Sequence, residues 1–328
     1  MADYSYSVNT NSLKGMSIAD TAKFCARLGF DGIEWGLPKD GLNAGLLREM
    51  KTATEGEGLK VAAWINAGQL WKDDVMRKYS DLVASVGGGM LRVAHPWLAY
   101  NFEESLHQRD GFMTLFKRSR EGLERLQPLG RQMGIRYVLE MHGGSLCASA
   151  SACRYLMDGL DPATVGVIYD PANGVSEGFL RPRHSTELLG PYLAYVHAKN
   201  LLVRPAGSLM PGPVKRVAWE TRTSELECGF IDFVEVFFAL KVVGFKGWVS
   251  MEEFFRDAPE AQLVRALAFA KECAAAAPSV TRPSANSTCT SDRSSAASPP
   301  GRMNRWRLAS CAVSVRRGSI TITWPPLA

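Results

Sequence analysis

Four short apolar runs of this chain each end in a residue that can bind a metal ion. The runs end at Glu140, Asp170, His197 and Glu252. If the runs are parallel strands of one closed barrel, their C-terminal ends meet at one rim, so side chains far apart in sequence converge on one point. Three carboxylates and an imidazole are typical of a site for Mg²⁺, Mn²⁺ or Co²⁺ rather than of a cysteine-rich zinc site. The pattern therefore predicts one divalent cation.

Each of these four residues, taken alone, also has a purely structural explanation. A single glutamate at a strand end is commonly a solvated loop residue, and a single histidine is more often a hydrogen-bonded structural residue than a ligand. When a potential metal ligand stands at the end of each of the last four strands, however, the metal site becomes the favoured explanation. Glu252 precedes Glu253, and neighbours on a strand point to opposite faces. We select Glu252 because it stands at the expected strand end.

Polar residues in the segments that follow these ligands are candidates for binding a substrate. His142 lies two positions after Glu140, and Lys199 lies two positions after His197. A spacing of two places both members of a pair on the same strand face. Asn173 follows the sixth strand and can reach the same mouth.

The first four strands contribute further pocket candidates. His95 on the fourth strand and Trp35 on the second are selected for substrate binding. Aromatic rings at a barrel mouth commonly stack on sugar rings, although core packing is an equal alternative for a tryptophan. Weaker candidates from the same strands are Asn9, Glu34, Trp64 and Arg92.

Eight alternating strand and helix units position these residues. The strands are short and rich in Val, Ile, Tyr and Trp, as expected for a parallel sheet that is buried on both faces. They are predicted at residues 6–10, 32–35, 60–65, 90–95, 136–142, 165–171, 192–200 and 247–254. Glycine after several helical segments, as at Gly29, Gly134 and Gly244, fits the left-handed helix cap. Eight units predict an α/β fold of the closed (β/α)₈ TIM barrel type, and no GxGxxG follows the first strand to favour a dinucleotide-binding sheet.

The composition changes after about residue 278, which divides the chain into a barrel, 1–278, and a tail, 279–328. The tail is rich in Ser, Pro and Arg and is predicted to be disordered, because it has little apolar surface to bury. It is either an interaction tail or a non-native extension. Seven arginines against one aspartate give the tail +6, so the barrel carries −1 of the net +5. A near-neutral barrel gives no support to nucleic-acid binding.

Composition also constrains the class and compartment of the protein. A length of 328 residues suits one barrel, and no apolar run reaches the ~20 residues of a membrane helix. The N-terminus lacks a secretory signal pattern, so we expect a cytoplasmic protein without membrane partners. Seven widely spaced cysteines without a CxxC pair indicate reduced thiols rather than a disulfide framework.

Several segments resemble the xylose isomerase-like barrel superfamily, in its sugar phosphate isomerase/epimerase branch. The segments are Leu-Glu-x-His-Gly-Gly at 139–144, Tyr-Asp-Pro-x-Asn at 169–173, Val-His-x-Lys-Asn at 196–200, Gly-x-x-Ser-x-Glu at 247–252 and Phe-Asp-Gly-Ile-Glu at 30–34. The resemblance covers residues 5 to about 275 and none of the tail.

This resemblance implies that Glu140, Asp170, His197 and Glu252 bind one Mn²⁺, Mg²⁺ or Co²⁺ and that Glu140 and Glu252 also form the catalytic acid/base pair. It implies a small carbohydrate substrate, proton transfer through a metal-stabilised enediolate, and a homo-oligomer, either a dimer or a tetramer. The metal stabilises charge on the substrate oxygens, while one carboxylate removes a proton and either carboxylate returns it.

Two departures from the ketose epimerase pattern leave other functions open. Asn173 stands where those epimerases usually carry His, and His142 is an addition beside Glu140. A histidine near a leaving hydroxyl could serve as a general acid, so a dehydratase acting on an inosose or keto-sugar is the main alternative. An endonuclease-like enzyme would need a basic groove and several metals, and a non-catalytic barrel would not need all four ligands.

Overall fold

A computed structural model describes residues 4–13, 15–95, 107, 109–177, 180–210, 214–254, 259–279, 312–316 and 319–323. For residues 176–177, 209–210, 312–316 and 319–323 it describes the backbone alone. Its strands are β1 (Ser5–Asn9), β2 (Gly32–Gly36), β3 (Lys60–Ile65), β4 (Gly89–Arg92), β5 (Ile135–Glu140), β6 (Val165–Tyr169), β7 (Leu193–Ala198), β8 (Asn200–Met210), β9 (Arg216–Ser224), β10 (Trp248–Met251), β11 (Ala312–Arg316) and β12 (Ser319–Thr323). Eight of them close a parallel barrel in the order β1-β10-β7-β6-β5-β4-β3-β2. The predicted TIM barrel is confirmed.

Helices surround this barrel and connect its strands. Within the described ranges they are α1 (Ile18–Leu28), α2 (Ala44–Gly56), α3 (Asp73–Ala84), α4 (Phe112–Met133), α5 (Ala150–Met157), α6 (Pro182–Leu189), α7 (Phe233–Val242) and α8 (Pro259–Ala276). Helix α1 begins after Ser17, whose hydroxyl accepts from the Asp20 amide, and ends at Gly29 with φ 83°. Gly134 ends α4 in the same left-handed conformation. Both glycines are at predicted cap positions, where a residue without Cβ is favoured.

Alternate residues of each barrel strand face the interior and form layers from one end to the other. On β5 the inward residues are Arg136, Val138 and Glu140, because side chains of a strand alternate in direction. Val138 packs with Ile168 and Tyr195 in an interior cluster, whereas the larger core lies between the strands and the helices. Glu140 is therefore at the C-terminal rim and Arg136 at the opposite end.

The hairpin of β8 and β9 is an addition that the sequence reading missed. It lies between β7 and β10 in the chain and pairs its two strands in a separate two-stranded sheet. Residues 203–220 belong to a second compact unit together with residues 281–328, whereas residues 1–202 and 221–280 form the barrel unit. The predicted disordered tail lies outside the described residues, apart from Ser279 and the antiparallel strands β11 and β12. In the part of the chain that the structure describes, no helix combines the length and apolar character needed to cross a membrane.

Candidate metal centre

The four predicted ligands converge at the C-terminal rim of the barrel. Glu140 ends β5, Asp170 follows β6, His197 lies on β7 and Glu252 follows β10. Each offers one ligand atom, and these atoms all lie within 4.8 Å of one another. All four side chains are buried. The convergence follows from the sheet order, because β5, β6, β7 and β10 are consecutive neighbours in the barrel.

Glu34 on β2 holds the ring of His197 from the side away from the other ligands. The Nε2 atom of His197 lies 2.9 Å from Glu34 Oε1, and its Nδ1 atom lies 3.2 Å from Glu140 Oε1. Ser250 donates to Glu34 Oε2 at 2.5 Å. A carboxylate that accepts the second N–H of a ligating histidine fixes its ring orientation. With Nε2 bound to Glu34, Nδ1 is directed at the candidate cation position.

The carboxylates of the cluster also contact cationic and amide side chains. Lys199 Nζ lies 2.7 Å from both Asp170 Oδ2 and Glu252 Oε2, and Arg92 forms an ion pair with Glu140. Asn173 donates to Asp170 Oδ2 at 2.7 Å and to Glu140 Oε1 at 3.3 Å. These contacts connect every carboxylate ligand to a donor from a different element.

Asn9, at the end of β1, completes the contacts of Glu252. Its side-chain amide donates to Glu252 Oε1 at 3.0 Å and its side-chain oxygen accepts from the Asn11 amide at 2.9 Å. The first and last strands of the barrel thus share one side-chain contact at the site.

Burial and the surrounding charges together shift the pKa values of the two glutamates in opposite directions. Burial would raise the pKa of Glu140, but Arg92 and His197 outweigh it and hold this pKa well below its ordinary value. Burial raises the pKa of Glu252, and Lys199 offsets this only in part. Two carboxyl groups with displaced pKa values are typical of an acid/base pair. The buried His197 has a pKa well above its ordinary value, because Glu34 and Glu252 outweigh the effect of burial.

The donor set and its charge fit a divalent cation. Glu34, Glu140, Asp170 and Glu252 carry four negative charges, whereas Arg92 and Lys199 carry two positive ones. A histidine that binds a metal must lose its extra proton, so two negative charges would remain for the cation to balance. Buried charge of this size is costly unless it is compensated. Three carboxylates and one imidazole are suitable ligands for Mg²⁺, Mn²⁺ or Co²⁺.

His95 and His142 line a cavity of about 110 Å³ beside this cluster, together with Arg92 and Asn66. His95 is buried, and its Nε2 lies 3.0 Å from the backbone oxygen of Glu140. Burial lowers the pKa of His95 to about 4, so its ring is neutral at pH 7. Asn66 has φ 67°, a conformation that non-glycine residues adopt at a cost and that is found more often at functional sites.

The structure does not bring Trp35, a predicted substrate contact, to the candidate metal centre. Trp35 lies on the outer face of β2, where it is 4% exposed and donates from Nε1 to Thr54 of α2 at 2.9 Å. Its neighbour Glu34 is the inward residue, because adjacent side chains of a strand point to opposite faces. Trp64 pairs with Trp35 across β2 and β3 and belongs to the same outer core. The aromatic residues of these strands are therefore packing residues.

The sequence reading missed the hydroxyl groups beneath the cluster. Ser7, Tyr195 and Ser250 are fully buried, and Ser7 and Tyr195 share a hydrogen bond of 2.7 Å. Tyr195 donates to Glu34 at 3.5 Å. Side chains two positions apart on a strand share a face. Tyr195 and Ser250 lie two positions before His197 and Glu252, so this spacing would have identified them.

Comparisons with known proteins found a family model and a curated relative that match parts of this chain. A family model described as xylose isomerase-like TIM barrel matches residues 22–273. An inosose dehydratase from Geobacillus kaustophilus (strain HTA426) is 29% identical over 142 residues, which are 40% of this chain and 43% of that protein. The chain thus spans less than half the length of this relative.

Two solved structures share the fold over most of the chain. D-psicose 3-epimerase from Clostridium cellulolyticum H10 superposes with a TM-score of 0.64 and 16% identity, covering 82% of this chain and 99% of that one. The 3-keto-D-glucoside 4-epimerase from E. coli also gives 0.64 and 16%, covering 83% and 100%. At these identities the likeness concerns the fold alone.

Proposed function

The chain belongs to the xylose isomerase-like TIM barrel family, and we propose that it is a divalent-metal-dependent isomerase or epimerase of a small sugar or sugar derivative. The observation that carries this proposal is the buried cluster of three carboxylates and one imidazole at the C-terminal rim. That rim is where TIM-barrel enzymes have their active sites. A divalent cation bound there would stabilise negative charge that develops on a substrate oxygen.

Glu140 and Glu252 are the proposed acid/base pair. One carboxylate accepts a proton from the carbon next to a carbonyl group, and either carboxylate returns a proton. Return to the opposite face of the same carbon gives epimerisation, whereas return to the neighbouring carbon gives isomerisation. Arg92 beside Glu140 and Lys199 beside Glu252 hold the two carboxylates in place.

His142, Asn173, Lys199 and His95 are the proposed substrate contacts. Lys199 and Asn173 present donor groups at the cluster, and the two histidines line the adjoining cavity. Sugar hydroxyls are both donors and acceptors, so a mixture of imidazole, amide and ammonium groups suits a polyhydroxylated ligand.

Dehydration of an inosose or another keto-sugar is the second candidate function. The observation that favours it is the position of His142 in the cavity beside Arg92, where an imidazole could protonate a leaving hydroxyl group. The partial similarity to an inosose dehydratase agrees with this reading. Both reactions begin with the same proton removal by the same carboxylate pair.

The first experiment measures Mn²⁺ binding by calorimetry and elemental analysis. Wild type is compared with Glu140→Gln and His197→Ala, and Glu124→Gln on the exposed face of α4 is the matched control. We expect one tight site in wild type and control, and its loss in both site variants. A folded wild-type protein that binds no Mn²⁺, Mg²⁺ or Co²⁺ would contradict the proposal.

The second experiment distinguishes the reactions in deuterated water. Ketoses and inososes are incubated with the metal-loaded protein and followed by NMR and ultraviolet absorbance. A deuterated stereoisomer or positional isomer supports the first function, and loss of water with a new enone absorbance supports the second. A metal-loaded protein that exchanges no proton of any of these compounds would count against both.

A further inference from the structure

The end of the barrel opposite the candidate metal centre contains a second cavity, of about 540 Å³. Its walls are formed by the first residues of β4, β5 and β10, including Met90, Arg136 and Trp248. Small-molecule sites commonly have volumes of about 300–1,000 Å³. None of the proposed metal ligands or substrate contacts lines this cavity.

Arg136 is a half-buried cation whose observed partners are backbone carbonyl groups. It faces the barrel interior, four residues before Glu140 on the same face of β5. Its guanidinium donates to the backbone oxygens of Val165 at 3.3 Å and Pro191 at 2.9 Å. Within the described part of the chain it forms no ion pair. A cation removed from water without a countercharge is destabilising, so an anion is the missing partner.

Arg131 at the rim of the same cavity provides the contrast. Its guanidinium forms an ion pair with Asp161 at 3.0 Å, and both side chains are substantially exposed. The exposed arginine therefore has a carboxylate partner, while the partners of the more buried Arg136 among the described residues are neutral carbonyl groups. Burial lowers the pKa of Arg136, in agreement with a missing countercharge.

Two glycines leave room for the guanidinium of Arg136 and for the indole ring of Trp248. A Cβ at Gly166 would lie 2.9 Å from Arg136 Nε, and one at Gly32 would lie 2.6 Å from the ring of Trp248. Both contacts are too short for a real Cβ, so side chains at these positions would displace the guanidinium or the indole. Trp248 is half-buried and lines the cavity. The cavity thus combines a positive group with an indole ring.

We propose that this cavity binds a small anion that carries a planar ring. The carboxylate or phosphate of the ligand pairs with the guanidinium of Arg136, whose planar fork suits both groups. The ring packs against the indole of Trp248. An adjoining cavity of about 230 Å³ shares Met90 and is lined by Lys60 and by Lys51, whose ammonium group lies 3.6 Å from Glu55 in the same lining. The site is independent of the proposed metal centre and of the proposed reaction.

The test measures binding of benzoate and of adenosine monophosphate to the full-length protein by calorimetry and by quenching of tryptophan fluorescence. Benzoate tests for a ligand that carries a carboxylate, and adenosine monophosphate tests for a ligand that carries a phosphate. We expect at least one to bind with a Kd below about 1 mM, which corresponds to about −4 kcal/mol. Benzyl alcohol, which keeps the ring and lacks the charge, is expected not to bind.

Variants assign the binding to this cavity. Arg136→Gln should weaken it by at least about tenfold, as expected for loss of a charge-assisted pair. Trp248→Leu should weaken it and remove most of the quenching, whereas Arg154→Gln, an exposed arginine paired with Asp158, should bind as wild type. Circular dichroism identifies a variant that fails to fold.

Two results would overturn the proposal. One is that neither probe binds to the folded wild-type protein at millimolar concentration. This measurement requires no variant. The other is binding that Arg136→Lys and Arg136→Gln both leave unchanged.

Discussion

The contact between Glu34 and His197 predicts a large effect on metal affinity from a residue that is not itself a ligand. Glu34 is fully buried and lies 2.9 Å from His197 Nε2, with Ser250 on its second oxygen at 2.5 Å. In Glu34→Gln the amide has nearly the same shape, and its oxygen can still accept from Nε2. The substitution removes one of the four negative charges that a cation would balance.

The expected loss follows from these contacts. Replacing such a partner of a ligating histidine typically costs about 10- to 100-fold in metal affinity, or about 1.4–2.8 kcal/mol. Glu34→Ala should lose more, because it also leaves the ring of His197 and the hydroxyl of Ser250 without their acceptor.

Calorimetric titration with Mn²⁺ measures both variants beside wild type. Thermal unfolding without metal separates a loss of affinity from a loss of folding, and ¹⁵N NMR of the Mg²⁺ form reports whether the Nε2 atom of His197 keeps its proton. Glu124→Gln is the control for removing an exposed glutamate. If Glu34→Gln binds Mn²⁺ as tightly as wild type, Glu34 does not position His197 for metal binding.

Two further predictions concern packing and thiol chemistry. Gly166→Ala should reduce the free energy of unfolding in urea by about 1–3 kcal/mol, because its Cβ would lie 2.8 Å from Ala194 Cβ and 2.9 Å from Arg136 Nε; unchanged stability would show that these neighbours move aside freely. Burial raises the pKa of Cys25 to about 12, so at pH 8 only about one part in ten thousand is the reactive thiolate. Iodoacetamide should therefore modify the exposed Cys228 and spare Cys25 in the folded protein, as peptide mass spectrometry would reveal; early labelling of Cys25 would contradict its burial.

The barrel and the convergence of its ligands were predictable because both depend on a simple repeat. Each ligand follows a short apolar run, and parallel strands of a barrel end at one rim whatever their exact bounds. Glu140 and His197 therefore meet although 57 residues separate them. The role of Glu140 and Glu252 in catalysis stays a prediction, because geometry alone does not show a proton transfer.

The details that the sequence did not predict depend on which face of a strand a residue occupies or on uncharged side chains. Trp35 and Glu34 are adjacent, and a shift of one residue exchanges which of them faces the interior. The pairing of β2 with β3 has such an irregularity between Ile33 and Glu34. Ser250 carries no charge, and its hydroxyl becomes informative only when Glu34 is seen beside it.

The closure of the barrel has a consequence for how the protein folds. Asn9 contacts Glu252 across 243 residues, and Ser250 contacts Glu34 across 216. These contacts require β10 to pair with β1, which cannot happen until all the other strands of the barrel have emerged from the ribosome. Contacts so distant in sequence form slowly, because a long loop must close first. A nascent chain that ends before β10 holds three of the four ligands, so the metal centre and the closed barrel are completed by the same late event.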